Sequence, residues 1–569
     1  MAILDSVNSP EDLKKLDPGQ LDLLCGEIRS LILDTVFKNG GHLSSNLGAV
    51  EAVVALHYVF NAPKDKIIFD VGHQCYAHKI LTGRKDEFFT LRTENGIAGF
   101  PKTQESVYDV ANTGHASTSI SLACGLSRAL DGGEQIISFI GDGAMTGGLA
   151  FEALNDLACM GKKQIIVLND NEMSISKNVG LISNYLNRLR RERVTRPFAL
   201  FGLKYIGIVD GHDIKALIKA FNKAKKYSDP VIVHILTKKG KGYKEAEENP
   251  EKFHGYSTSS QSGRSFSQIC GETLCELAEK DKDVIAVTAA MASGTGLDVF
   301  EKKFPDRFVD VGIAEAHAAC MSAGLALGGK KPYFAVYSTF LQRAYDQLLH
   351  DVCLNSLPVT ICVDRCGIVA GDGETHQGVY DISFMRALPE IAVVAPKDGK
   401  ELKKTLEWSL TYGKPLAIRY PKAEDVKKYD RHGEIRLGKW EKLTDGSAEA
   451  VILATGAVSV ADACEVVAQL AKQGIKVDLV NARFIKPFDE EMLGDIKDKK
   501  IFTLEDGVRT GGFGEGVIAY YAERGICADV TVFAFDEKPY PLGSVNYIKK
   551  FTGTDPDSLC NKIRDGLKK

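Results

Sequence analysis

Two stretches decide the fold: Gln135-Ile136-Ile137-Ser138-Phe139-Ile140-Gly141-Asp142-Gly143, and Gln164-Ile165-Ile166-Val167-Leu168-Asn169-Asp170-Asn171-Glu172-Met173. Each is a short run rich in Ile and Val that ends in polar residues, and the segment between them, Ala150 to Met160, has room for a helix. The spacing predicts a βαβ unit whose two strands, 135–140 and 164–168, run parallel. Open α/β sheets bind ligands beyond the carboxyl ends of their strands, and Asp142 and Asn171 fall there. Each supplies one hard oxygen, few enough for a Mg²⁺ ion that completes its shell with phosphate, water and a backbone carbonyl. Gly141 and Gly143 let the backbone approach a diphosphate closely. A Gly-Asp-Gly alone reads as an ordinary turn; the second polar cluster, closing the next strand, is what points to a site.

Outward from this unit, short apolar runs and helical patterns alternate from residue 1 to about 254, as in a parallel sheet wrapped by helices. Gly255 to Ser265 reads GYSTSSQSGRS, a small and polar linker. A second α/β pattern has candidate strands at Val284–Val287, Tyr333–Tyr337, Val359–Val363 and Ile391–Val394, and ends near Tyr420-Pro421-Lys422. The charged stretch Glu424 to Glu434 leads to a third, with strands at Ala450–Leu453, Val477–Val480 and Lys500–Thr503. The expected architecture is α/β, three consecutive α/β domains over 1–254, 266–423 and 435–569. A length of 569 residues suits about three domains at roughly 150 residues each.

Lys plus Arg number 71 against 75 Asp plus Glu, so the net charge of −4 gives no footing for nucleic acid or an anionic membrane. Recognition of phosphate is therefore local. Thirteen cysteines, an odd number without CxxC pairs, suit reduced thiols better than a disulfide framework. No apolar run approaches a membrane span, and the N-terminus lacks a signal-peptide core. A cytoplasmic enzyme is expected.

Three histidines sit in glycine-flanked loops of the first domain: His42 in GGHLSSNLG, His73 in DVGHQ after the apolar Ile67–Phe69, and His115 in Gly114-His115-Ala116-Ser117-Thr118. Histidine reaches both its forms near pH 7, which suits a substrate or cofactor site. Tyr243, in TKKGKGY, belongs to a candidate cofactor-covering loop. In the second domain Glu315 is the one carboxylate of VGIAEAHAACMSAGLALGG, and burial there raises a carboxyl pKa toward neutrality. Arg343, Arg365 and Arg419 stand at or just past predicted strand ends, where a guanidinium fork suits a terminal phosphate or a carboxylate. Asp372 and His376 lie in the glycine-rich GDGETHQG. The third domain shows no such cluster.

The words GGHLSSNLG, DVGHQ, GDGAMTGG, NDNEMSIS, TKKGKGY, YSTFLQRAYDQ, DGETHQG and RYPK together resemble the 1-deoxy-D-xylulose-5-phosphate synthase family, across nearly the whole chain. The resemblance implies a transketolase-like thiamine diphosphate-binding fold. It also implies a homodimer that condenses pyruvate with D-glyceraldehyde 3-phosphate, releasing CO₂, for isoprenoid, thiamine and pyridoxal phosphate synthesis. It assigns Mg²⁺ to Asp142, Asn171 and the Met173 carbonyl. Contacts to the cofactor are assigned to His73, Gly114, His115, Ala116, Gly143, Ala144, Asn171, Tyr243, Glu315 and Phe340. Glu315 activates the cofactor by proton exchange with its aminopyrimidine, and His42, His376 and Asp372 complete the catalytic group. Tyr337, Arg343, Arg365, Arg419 and His254 bind substrate, with Tyr337, Arg365 and Arg419 on the acceptor phosphate. A transketolase proper, moving a ketol unit without loss of CO₂, and a non-catalytic paralogue that keeps the pocket are the alternatives.

The sequence departs from the family pattern in three places. Ala116 and Ala316 stand where the family has Ser and Gln. Between Ile175 and Tyr205 the family carries a longer helical, basic excursion, and roughly forty residues are missing here. What remains, with the basic run Arg188 to Arg193, reads as a mobile surface cover.

Overall fold

The computed structural model describes residues 2–130, 133–173, 179–192, 198–258, 263–425, 429 and 432–568. The first sheet contains β1 (Lys66–Phe69), β2 (Ile136–Gly141), β3 (Ile165–Asp170), β4 (Lys204–Asp210) and β5 (Val231–Leu236), in the order β1-β2-β3-β5-β4 and parallel throughout. Residues 136–140 and 165–169 are buried, as expected of parallel strands covered on both faces, which is why they read as continuous apolar runs. The βαβ unit is present: β2 pairs with β3 from Ile137↔Ile165 to Gly141↔Asn169, with the helix Gly148–Met160 between them. Its register sets Asp142 and Asn171 just past two adjacent strand ends, and the Asp142 amide donates to the Asn169 carbonyl at 3.2 Å.

The second sheet takes β6 (Val284–Thr288), β7 (Phe308–Asp310), β8 (Lys331–Tyr337), β9 (Thr360–Cys366), β10 (Ala392–Val394) and β11 (Leu416–Pro421). The third stretch contributes β12 (Glu441–Lys442), β13 (Ala450–Ala454), β14 (Asp478–Asn481), β15 (Phe484–Lys486), β16 (Lys500–Val508) and β17 (Val530–Phe535). Its sheet runs β12-β14-β13-β16-β17, but β15 leaves it and adds antiparallel to β10, at the edge of the second sheet.

Contacts divide the chain into two compact units where the sequence suggests three domains. The first comprises Met1–Ser260 with Gly312–Ala314 and Gly371–Thr375; the second takes the remainder, so the second and third stretches form one body. The shared apolar cluster explains this: Val394, Leu402 and Leu406 from one stretch are buried together with Val451, Phe484 and Phe513 from the other. A buried polar network reinforces it. Glu401 receives Nδ2 of Asn481 at 3.0 Å and pairs with Arg483 at 3.0 Å, while Lys397 pairs with Glu441 at 2.6 Å. No helix among the described residues is long and apolar enough to cross a membrane.

Candidate active site

In the first unit the loops that follow the strands converge. His42, His73 and His254 form a triangle of rings with centroids 5.7, 5.4 and 5.7 Å apart, and Phe100 closes on His42 at 5.4 Å. One amide arranges two of them: Asn46 Nδ2 donates to the carbonyls of His42 (2.6 Å) and His73 (2.7 Å), while its Oδ1 accepts from the Tyr76 amide. Burial, with Lys239 and the other two histidines nearby, holds His254 well below the usual imidazole range. Its Nδ1 is buried with no hydrogen-bond partner among the described residues. The burial of His254 disfavours its charged form, and a neutral imidazole offers one donor and one acceptor nitrogen to a bound substrate.

Asp372 belongs to this unit as well. Arg92 Nη1 donates to its carboxylate at 2.8 Å, Arg92 lies against Tyr76, and the Tyr76 hydroxyl accepts from the His42 amide at 3.2 Å. His115 Nε2 meets the Thr375 carbonyl at 3.0 Å. A Cβ on Gly114 would lie 2.3 Å from Thr375 Oγ1, so the 114–118 loop needs glycine for close approach. Asp70, at the end of β1, accepts the amides of Ser117 (2.7 Å) and Ser119 (3.0 Å), and Ser117 Oγ donates to the Ala144 carbonyl at 2.7 Å. The loops carrying Gly114 to Ala116 and Gly143 to Ala144 are thereby joined.

Asp142 is buried beside Asp170, and desolvation together with that second carboxylate pushes its pKa upward; Lys239, itself buried and depressed, opposes the rise. Asp170 is itself engaged by Arg190 and His234, which leaves the oxygens of Asp142, Asn171 and the Met173 carbonyl as the hard donors of the kind Mg²⁺ takes. Asn171 Oδ1 accepts the Met173 amide at 3.3 Å, and Glu172 between them has φ 68°, a left-handed value rare outside glycine. The loop is wound tightly around the proposed ligands, and the residues present fit the metal and a diphosphate. Gly143 has φ −62°, an ordinary helical value, so the side chain's absence and not conformational freedom is what it offers there.

The second unit carries the other residues. Glu315 opens the helix Glu315–Leu327 and is 5% exposed; burial raises its pKa, while Arg343, with Nη1 4.0 Å from Glu315 Oε2, holds the rise back. Arg343, which the sequence left without a partner, thus has one. Phe340 stacks on Tyr337 at 5.8 Å and meets His376 edge-on at 5.7 Å. Arg365, at φ 60°, lays its guanidinium 3.7 Å from the Tyr337 ring centroid, with Nε buried and without a hydrogen-bond partner among the described residues.

Two expectations change. Arg419 is 1% exposed, and its Nε, Nη1 and Nη2 donate to Asp381 at 2.8 Å, Asp506 at 2.5 Å and Asp381 at 3.2 Å. A phosphate would meet a guanidinium already neutralised by two carboxylates, so Arg419 serves packing first. Tyr243 is held edge-on by Phe37 (5.4 Å) and by Phe253 (5.7 Å), the residue before His254, so packing of its ring is what the structure shows. Sequence reasoning missed Asn46, Tyr76 and Arg92 as supports. Asn46 sits in a word already singled out, GGHLSSNLG, but the other two lie outside every motif.

The short segment after Met173 contains a packed helix among its described residues. Residues 174–178 and 193–197 lie outside the described residues, but Gly180–Arg191 is a helix that buries Leu186 and Leu189.

The family profile described as 1-deoxy-D-xylulose-5-phosphate synthase matches residues 4–199 and 191–237, two pieces that meet where the chain runs short. The transketolase pyrimidine binding domain matches 262–425 and the transketolase C-terminal domain 438–559. The 1-deoxy-D-xylulose-5-phosphate synthase of Clostridium perfringens (strain 13) is 45% identical over 615 residues, covering 99% of this chain and 99% of that protein. That of Caldanaerobacter subterraneus subsp. tengcongensis is 45% identical over 616 residues, covering 99% and 98%. Both alignments are longer than the 569 residues here, in keeping with a shortened loop. Motif residues gathered at the strand ends, and likeness along the full length, lead to one conclusion: the chain belongs to the 1-deoxy-D-xylulose-5-phosphate synthase family.

Proposed function

We propose that the protein condenses pyruvate with D-glyceraldehyde 3-phosphate to give 1-deoxy-D-xylulose 5-phosphate and CO₂, using thiamine diphosphate and Mg²⁺, as a cytoplasmic homodimer. The product enters isoprenoid, thiamine and pyridoxal phosphate synthesis. The observation that carries the reading is the pairing of Asp142 and Asn171 past adjacent strand ends in a chain alike over its full length to proteins of this name. Thirteen cysteines, all free, agree with a reducing compartment.

Thiamine diphosphate, when bound, supplies the nucleophilic carbon and takes up the electron pair left when CO₂ departs. Asp142, Asn171 and the Met173 carbonyl would hold Mg²⁺, and His73, Gly114, His115, Ala116, Gly143 and Ala144 would contact the cofactor. Glu315 holds and returns a proton at its carboxylate, and burial, by raising its pKa, favours the protonated form. Phe340 supplies an apolar face, with His376 beside it. The trio His42, His73 and His254 hydrogen-bonds the substrate oxygens, with Asp372 orienting through Arg92 and Tyr76. Arg365, stacked on Tyr337, presents its fork to the acceptor phosphate, where charge-assisted bonds are strong.

The test is turnover of pyruvate labelled at its carboxyl carbon together with D-glyceraldehyde 3-phosphate. Release of labelled CO₂ accompanied by formation of deoxyxylulose phosphate is the expected result. Ketol transfer without CO₂, or no turnover, would overturn it.

A further inference from the structure

Asn171 is flanked by two carboxylates, Asp170 and Glu172, and one guanidinium holds both. Arg190 donates from Nε to Asp170 Oδ2 at 2.8 Å and from Nη2 to Asp170 Oδ1, the parallel fork that carboxylates bind best. Its Nη1 reaches Glu172 Oε1 at 2.5 Å and Asn187 Oδ1 at 2.7 Å. Asp170 ends β3, is buried and takes a further bond from His234 Nε2 at 2.8 Å; His234 Nδ1 meets the Tyr205 hydroxyl at 2.8 Å. The turn between the two carboxylates is the one with Glu172 at φ 68°.

Arg190 is aimed by its helix. In Gly180–Arg191 the residues Leu186 and Leu189 are buried in the cluster that contains Leu168 of β3 and Ala144 and Met145 of the Gly-Asp-Gly loop. The helix is anchored on the apolar underside of both loops, and Arg190 emerges beside Leu189 to clamp the second. It is also almost the last residue before the junction at 191–199 where the family profile breaks.

We propose that Arg190 is a positioning residue for the Mg²⁺ and diphosphate loop, fixing Asn171 and the Met173 carbonyl by gripping the carboxylates on either side. The inference rests on the thiamine diphosphate reading above. Groups that orient metal ligands contribute about 10- to 100-fold to metal affinity, and a lysine, with a point charge in place of a planar fork, does not reproduce the grip.

The experiment titrates Mg²⁺ into the full-length chain with thiamine diphosphate in excess, following cofactor binding by calorimetry and turnover in parallel, for the parent, Arg190→Ala, Arg190→Lys and Glu172→Gln. Arg190→Ala is expected to need about 10- to 100-fold more Mg²⁺, with kcat recovered once the metal saturates. Arg190→Lys falls between it and the parent, and Glu172→Gln, which loses only the outer arm, shifts less than Arg190→Ala. If Arg190→Ala does not fold, Arg190→Lys decides by the same readout. An unchanged Mg²⁺ requirement in a folded Arg190 variant would overturn the proposal, as would a loss of kcat that Mg²⁺ cannot restore, the mark of a purely structural role. A parent chain that fails to bind thiamine diphosphate with Mg²⁺ overturns both readings; a parent that binds beside an indifferent Arg190 variant overturns only this one.

Discussion

Arg365 and Arg419 look alike in sequence, each at the end of a strand, yet their surroundings separate them. Arg365 lies over Tyr337 with Nε lacking a hydrogen-bond partner among the described residues, whereas Arg419 is bound by Asp381 and Asp506. Arg365→Ala is therefore expected to raise KM for glyceraldehyde 3-phosphate roughly ten- to a hundredfold, the equivalent of a lost charge-assisted bond, and to leave KM for pyruvate unchanged. Arg419→Ala strands two buried carboxylates and is expected to cost about 3–5 kcal/mol of stability, read as a shift in the urea midpoint. An Arg365 variant impaired equally with unphosphorylated glyceraldehyde would refute the phosphate role. For Glu315, burial and Arg343 act in opposite directions and leave its pKa raised. Glu315→Gln keeps the shape but not the exchangeable charge, so kcat should fall by about 10² to 10⁴ while thiamine diphosphate still binds. Exchange of the cofactor's C2 proton, followed by NMR, checks it: parental exchange in the variant would remove Glu315 from the proton path.

At the scale of elements, the first unit contains a buried chain of titratable groups linking the helix Ser44–Val59 to the helix Tyr76–Lys79. His57 Nε2 meets His78 Nδ1 at 2.9 Å, and His78 Nε2 meets Asp109 at 2.7 Å. Asp109 also takes Arg84 at 2.6 Å, with Lys79 at 4.0 Å and Lys14 adding a further positive charge to the field at His57. Desolvation holds both histidines below their ordinary 6.5, and His78 and Arg84 hold Asp109 below its ordinary 3.8 despite its own burial. In both cases the unfolded chain binds the proton more readily, so stability is lost as pH falls: first below 6.5 from the histidines, then below 3.8 from Asp109. His57→Gln should flatten the first of these losses, measured as urea midpoints at pH 5 and pH 7. A parent protein equally stable at both values would contradict the assignment.

For the whole molecule, the shortened segment matters most. Every candidate catalytic, substrate-, cofactor- and metal-binding residue lies outside it and only the positioning residue Arg190 within it, so the chemistry should survive, but a cover acts by excluding water and ordering the closed state. The protein is expected to be active and leaky, releasing more CO₂ than it forms deoxyxylulose phosphate at saturating acceptor, with the balance as acetaldehyde, acetate or acetolactate. A ratio of one would show that the anchored helix Gly180–Arg191 suffices.

The sequence by itself determined the βαβ unit, the largely parallel sheets and which polar residues stand at their strand ends. Parallel strands buried on both faces have to be apolar runs, and polar residues that close them have to lie at the strand ends; both facts are local, as in Ile165–Asp170 and its Asn171. Tertiary structure alone decided what depends on distant partners. Two carboxylates reach Arg419 whereas Arg365 meets the Tyr337 ring, and Arg343 finds Glu315 because a helix start and the turn Gln342–Ala344 are folded together. The union of the second and third stretches rests on β15 leaving its own sheet for β10. Arg190 becomes a clamp only because Leu186 and Leu189 bury one face of its helix beside β3, a consequence of packing that no spacing of charges in the sequence expresses.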